Sequence, residues 1–296
     1  GGRDAFFDVL TVRQLQREFC LNAPWVGDLI YDKRRGQPVR LERNPKGKLK
    51  LWVPPRSETA PFFPKIKGGA AGDISAGTGV SPSVLSMFDA RTGCKVLEYV
   101  DAGLYPQDFA TYVAACLRMF TDENGAHPLF AWEAQYASAF RKRLMEELHY
   151  SPCFRRYDED KLGKIRSNNG EYGWSNNTKA ILALMEQYRA ALYQRRIFNH
   201  SEEALDEVLQ MVYTDKGVEY RSKGKLKKKD EGSGATIHHG DIVVADALAY
   251  KMITELGFEY DEEEKAIEQW PDPRTWEGRE KLHEAQSRRV EDEEWA

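Results

Sequence analysis

Two periodicities alternate along the chain and divide it into elements. Phe6, Phe7, Leu10, Val12, Leu15 and Phe19 recur at helix-like spacing, which predicts an amphipathic helix near the start. Residues 28–54 change to strand-like alternation in DLIYD, VRLER and LKLWV, with a turn at Asn44-Pro45-Lys46-Gly47. Pro54-Pro55 and the Ser/Thr/Pro-containing stretch to Pro64 read as a linker. IKGGAAGDIS predicts a strand of small residues ending at Asp73. SVLSMFD and CKVLEYVDAG predict two more, joined by a hairpin at Ala90-Arg91-Thr92-Gly93. PQDFATYVAACLRMF predicts a helix entered through proline. HPLFAWEA then reads as a short apolar strand, YASAFRKRLMEELHY as a second helix and residues 151–156 as another strand. A long helix is expected over 177–193, followed by SEEALDEVLQMVY with Ser201 as N-cap and by the apolar helix DIVVADALAYKMITEL.

This order predicts an α/β domain: a mixed sheet of three antiparallel strands and then parallel strands, flanked by helices. It is the order of an RNase H-like domain. The chain has 296 residues and is 41% hydrophobic, enough to bury a sizeable core. No run of eighteen apolar residues occurs, so no membrane span is expected, and no secretory signal opens the chain. Cys20, Cys94, Cys116 and Cys153 are isolated from one another, which argues against a zinc knuckle and for plain packing roles in a reducing compartment. The start at Gly1-Gly2 without an initiator Met reads as a fragment. Residues 1–60 are expected to be a connector, 61–256 the main domain and 257–296 an acidic tail carrying Trp270, Trp276 and Trp295.

The net charge of −4 argues at first against a polyanion as partner. Its distribution changes that: residues 257–296 hold fourteen Asp/Glu and six Lys/Arg, which leaves the rest of the chain at +4. A mildly basic body can bind phosphate through local patches. Residues 214–230 hold seven Lys/Arg and three Asp/Glu and read as a basic hairpin or loop. Arg221, Lys223, Lys225, Lys227, Lys228 and Lys229, together with Lys179, are the candidate DNA contacts. Such contacts go to the phosphate backbone, so weak sequence preference is expected. Arg141-Lys142-Arg143 reads as the wet face of a helix. No G-x-x-x-x-G-K-[ST] loop is present, so ATP hydrolysis is not expected.

Three acids stand where neighbouring strand ends and a helix terminus can bring them together: Asp73, Glu133 and Asp241. Each alone has a blander reading, as a turn residue, a solvated glutamate and a helix-end charge. Together they suit phosphodiester hydrolysis. Two divalent ions roughly 3.5–4 Å apart can serve both the attacking water and the leaving oxygen. Mg²⁺ prefers hard oxygen ligands. Without a cation, mutual repulsion would raise at least one of the three pKa values. Asp246 offers a further carboxylate but lies about 140° around the helix from Asp241. His238 and His239 precede Asp241, and His239 is a candidate additional metal ligand.

GDISAGTGVSPSVLSMFDARTGCKVLEYVDAGLYPQDFA resembles the opening of the terminase large-subunit nuclease domain. PLFAWEAQ is similar to that family's second acidic motif, EYGWSNNTKAILALMEQYRAAL to its Gly-Trp…Thr…Lys segment, and HHGDIVVADALAYKM to its closing helix. The likeness spans about residues 5–255. It departs near Ser81, where many relatives carry an Asp, and at Ala134-Gln135, where many carry Asn-Gly. The resemblance implies an endonuclease that cuts concatemeric double-stranded viral DNA during packaging. It implies Mg²⁺ or Mn²⁺ (two ions) held by Asp73, Glu133 and Asp241, and an ATPase domain preceding the connector. The implied partners are a portal protein and a small terminase subunit, in the host cytoplasm. The implied state is a monomer alone and an oligomer on the motor. Two alternatives stay open: a resolvase or integrase-like nuclease on the same fold, and a docking module without catalysis.

Overall fold

The computed structural model describes residues 5–59, 63–133, 137–155, 158–159, 165–166, 171–174, 178–214, 217–221 and 240–258. Residues 1–258 form one compact unit; the second unit, 259–296, lies outside the described residues.

The chain starts with helix α1 (Val9–Phe19), then strands β1 (Trp25–Asp32), β2 (Gln37–Arg43) and β3 (Leu49–Leu51). Strands β4 (Gly68–Asp73), β5 (Ser83–Asp89) and β6 (Lys95–Asp101) follow, then helix α2 (Pro106–Leu117) and strand β7 (Leu129–Trp132). Helix α3 (Ser138–Arg141) runs into a π-helical turn over Lys142–Glu147, and β8 (Asp158–Glu159) and β9 (Ile165–Arg166) form a small separate pair. The chain then makes α4 (Thr178–Tyr193), α5 (Glu202–Val208), the hairpin β10 (Met211–Thr214) and β11 (Gly217–Tyr220), and α6 (Asp241–Glu255).

Seven strands form one sheet in the order β2-β1-β3-β6-β5-β4-β7. All neighbours are antiparallel except β4 and β7, which run parallel. Helices α2 and α3 cover one face, packing on Phe130 and Trp132; α4 and α6 cover the other, packing on Ala71 and Ala131. The small residues of β4 have a reason. A Cβ on Gly69 would lie 2.5 Å from the backbone nitrogen of Ile253, so α6 rests its main chain directly on the strand. Among the described residues no helix is long and apolar enough to cross a membrane.

Three expectations differ from what is found. Residues 5–59 are not set apart as a connector. Strand β3 pairs with β6 through Leu49–Tyr99 and Leu51–Leu97, and Trp25, Leu49 and Leu51 have no exposed surface. Without β3 the edge of β6 would stand unpaired. Over its described residues, the strand expected at 151–156 is reduced to two single bridges, Cys153 to Phe130 and Arg155 to Tyr172. The helix expected over 201–213 stops at Val208. MVYT, rich in β-formers, leaves it to pair as β10.

Candidate active site

The pleat of the sheet brings two of the acids together. In a strand, residues two apart share a face. Gly69 and Ala71 face α6, and so does Asp73 two residues further on. In β7, Ala131 faces the same way, and Glu133 follows it by two. The parallel register sets Gly69 beside Leu129 and Ala71 beside Ala131. Continued by one step, that register sets Asp73 beside Glu133. Glu133 is held by a parallel bridge to Trp174, whose N–H donates to the Trp132 carbonyl at 2.7 Å. Trp174 is buried and serves as the packing anchor of this strand end.

Asp241 arrives from α6. The helix runs back along β4 so that its far end, at Ile253, meets Gly69, and its first residue reaches the strand's end. Both other acids act on Asp73. Burial, then the charges of Asp241 and Glu133, push the Asp73 carboxyl well above the ordinary aspartate range. The backbone N–H of Ile74 pulls it down, and Glu207 pushes it up further. Asp73, Glu133 and Asp241 therefore sit in one electrostatic cluster, with Glu207 as a fourth acid. Tyr220 packs against Gly240, and burial and the charges of Glu207, Asp241 and Asp206 raise the pKa of its hydroxyl.

The loop after Asp73 is built by serines. The hydroxyl of Ser83, a buried residue, accepts from the N–H of Ser75 at 3.0 Å and lies 3.1 Å from the Ser75 hydroxyl. Gly77, at φ 71°, passes so close to the Leu104 carbonyl that a Cβ would lie 2.5 Å from it.

Asp246 does not join the acids. Its two oxygens are taken by Lys95 Nζ at 2.8 and 2.9 Å, by Asn199 Nδ2 at 2.6 Å and by the Ser86 hydroxyl, all in the core. The turn between residues 241 and 246 points the two side chains to different neighbours. Lys179 is exposed in the first turn of α4, next to Thr178, which packs against Gly217. Arg221 is exposed just beyond β11, its N–H donating to the Gln210 carbonyl at 2.8 Å. His238, His239, Lys223, Lys225, Lys227, Lys228 and Lys229 lie outside the described residues.

Sequence reasoning missed Glu207 and Lys95. Both carried a signal. Glu207 lies between Leu205 and Val208 and one turn after Ala204, on the buried face of its helix. Lys95 opens β6, KVLEYVD, in which every residue but Val100 is buried. Among the described residues no three His, Cys, Asp or Glu side chains stand close enough to hold an ion as they are. The donors at the sheet end are all hard oxygens, which fits Mg²⁺ or Mn²⁺. Such an ion takes one or two carboxylates directly and keeps several waters.

No family model and no curated protein matches the chain. A solved structure does: the large terminase nuclease from thermophilic phage G20c with bound magnesium aligns over 85% of this chain and 98% of its own, with TM-score 0.51 at 13% identity. The chain has the terminase-nuclease fold. The RNase H-like mixed sheet expected from the element order is therefore present. The cobalt-bound form of the same nuclease aligns over 85% and 98% with TM-score 0.48 at 15% identity. The Thermus phage P74-26 large terminase nuclease domain aligns over 81% and 93% with TM-score 0.46 at 16% identity. At these identities the common property is the fold.

Proposed function

We propose that this chain is a metal-dependent endonuclease that cuts double-stranded viral DNA concatemers during genome packaging, with little sequence specificity. The observation that carries the reading is the cluster of Asp73, Glu133 and Asp241, in which burial and like charge drive Asp73 toward protonation. Such a cluster destabilises a fold unless a cation offsets it. Two Mg²⁺ or Mn²⁺ ions would supply an activated water and stabilise the leaving oxygen of the phosphodiester. The chain's own residues do the rest. Asp73, Glu133 and Asp241 offer the ligating oxygens from rigid strand and helix ends. Trp174 braces Glu133 through the strand bridge. Lys179, Arg221 and the lysines at 223, 225, 227, 228 and 229 are assigned to backbone phosphates, which carry no sequence information. The magnesium bound in the phage G20c nuclease, whose fold this chain has, supports the same class of ion.

A portal protein and a small terminase subunit are the proposed partners, with the acidic residues 257–296 as the contact to the portal. The proposed place of action is the host cytoplasm, with the chain a monomer until it joins an oligomeric motor. Nicking of supercoiled plasmid tests the core of this. Relaxed and linear products are expected with Mg²⁺ or Mn²⁺ and none with EDTA. Asp73→Ala, Glu133→Ala and Asp241→Ala are each expected to lose at least about 100-fold, beyond what a merely supporting group loses. Preferential cutting of four-way junctions would favour a resolvase. Absence of any cutting, with portal binding kept, would leave a docking module and end the nuclease reading.

A further inference from the structure

The first turn of a helix leaves backbone N–H groups that its own carbonyls do not reach. The residue before the helix usually satisfies them with a Ser, Thr, Asp or Asn side chain. In α6 that residue is Gly240, which has none. Its φ of 87° favours glycine, and a Cβ there would lie 3.0 Å from Tyr220 Cδ2. The cap comes from elsewhere in the chain. Glu207 Oε2, at the end of α5, accepts the N–H of Ile242 at 2.9 Å and of Val243 at 3.2 Å. Glu207, Ile242 and Val243 are all buried. A carboxylate is the favoured charge at this helix end.

The same segment grips α6 a second time. Asn199 donates to Asp246 at 2.6 Å, and its Oδ1 accepts the N–H of Ser201, which caps α5 by accepting the N–H of Ala204 at 3.3 Å. Ala204 then packs with Ile242 and Ala245 in one apolar cluster. Residues 199–207 thus clasp α6 at residue 246 and at residues 242–243. The residue immediately before the second grip is Asp241.

We infer that Glu207 is a positioning residue for Asp241: by capping α6 from outside, it fixes the turn that presents the Asp241 carboxylate to Asp73 and Glu133. The functional half of this rests on the nuclease reading above; the capping half does not. Glu207 acts through hydrogen bonds, so reach matters more than charge.

Two variants separate reach from charge. Glu207→Gln keeps an oxygen at the same distance and drops the charge. Glu207→Asp keeps the charge and withdraws the oxygen by one methylene. Amide hydrogen exchange, Mn²⁺ affinity by calorimetry and plasmid nicking are measured on both, with Asp241→Ala alongside. In Glu207→Asp, the amides of Ile242 and Val243 are expected to exchange at least about 10-fold faster. Mn²⁺ affinity and nicking are expected to fall about 10–100-fold, as for other groups that orient a ligand. Glu207→Gln is expected to stay within a few-fold of the parent in exchange, and to change Mn²⁺ affinity and nicking less than Glu207→Asp does, the lost charge acting on Asp73 as well. The reverse order, with Gln impaired and Asp intact, would overturn the inference and make Glu207 act by its charge. Unchanged exchange in Glu207→Asp would overturn the cap itself. Should Asp241→Ala bind Mn²⁺ and nick like the parent, the nuclease reading fails, while the exchange data still judge the cap.

Discussion

Lys95 on β6 and Asp246 on α6 form an ion pair in which neither side chain is exposed, with Nζ 2.8 Å from one carboxylate oxygen and 2.9 Å from the other. Glu98 takes the same ammonium at 2.7 Å, and Asn199 and Ser86 satisfy the Asp246 oxygens. The network ties the sheet to the helix that carries Asp241. Buried pairs of this kind contribute little net stability, but removing one partner strands the other charge. Lys95→Met is predicted to lose about 3–5 kcal/mol in urea unfolding, while Lys95→Met combined with Asp246→Leu recovers part of it, Glu98 keeping its second cation, Lys50, at 3.2 Å. A double variant as unstable as the single would sink this account.

Asp101 gives a pH dependence with a definite sign. Burial pushes its carboxyl up, but Lys48 Nζ at 2.7 Å, the Gly103 N–H at 2.8 Å and the Tyr99 hydroxyl at 2.8 Å more than reverse that. The folded value therefore lies below the ordinary 3.8. A depressed carboxylate stabilises the fold above the unfolded value and loses that contribution as pH falls through the folded one. Unfolding free energy measured from pH 6 down to about pH 2 should fall in the parent and fall less steeply in Asp101→Asn. Parallel curves would show that these contacts do not hold the charged form.

Gly69 tests how α6 is seated. Its missing Cβ leaves room for the backbone of Ile253, and backbone cannot rotate away as a side chain can. Gly69→Ala is predicted to cost about 1–3 kcal/mol, the usual range for overpacking a core. It also lifts the helix from the strand, so nicking should fall even at temperatures where the variant is folded. Thermal melts and a nicking assay at 20 °C or so, well below the melt, separate the two effects. A variant as stable as the parent would show that the helix has slack.

Much of this arrangement is legible in the sequence because it follows from local pattern. The strand-ending positions of Asp73 and Glu133 come from a run of small residues and a short apolar run, and Asp241 at a helix start comes from the apolar run behind it. The clasp was not legible. Glu207 meets Ile242 across 35 positions and Asn199 meets Asp246 across 47, and no periodicity reports such partners. Asp246 was open to misreading for the same reason, since its fate depends on Lys95, 151 positions earlier. The place of β1–β3 was hidden by prolines that read as a linker. The sheet order is decided by which strand edge β6 leaves to be covered, a property of the assembled sheet.

The acid cluster itself predicts a trade between stability and activity. With no cation present, Asp73 is pressed by Asp241 and Glu133, so its charge opposes folding. Asp73→Asn keeps the size and removes the charge. In EDTA it should melt higher than the parent, by the equivalent of about 0.5–2 kcal/mol, the range seen when functional sites give up strain. In Mn²⁺ the order should reverse in response: the parent gains stability by binding the ion, whereas the variant, short of one ligand, gains little. Its nicking should be lost under both conditions. Thermal melts of the two proteins with EDTA and with Mn²⁺ decide the matter. A lower melt for Asp73→Asn in EDTA would mean that the three carboxylates do not repel one another, and the case for a cation between them would go with it.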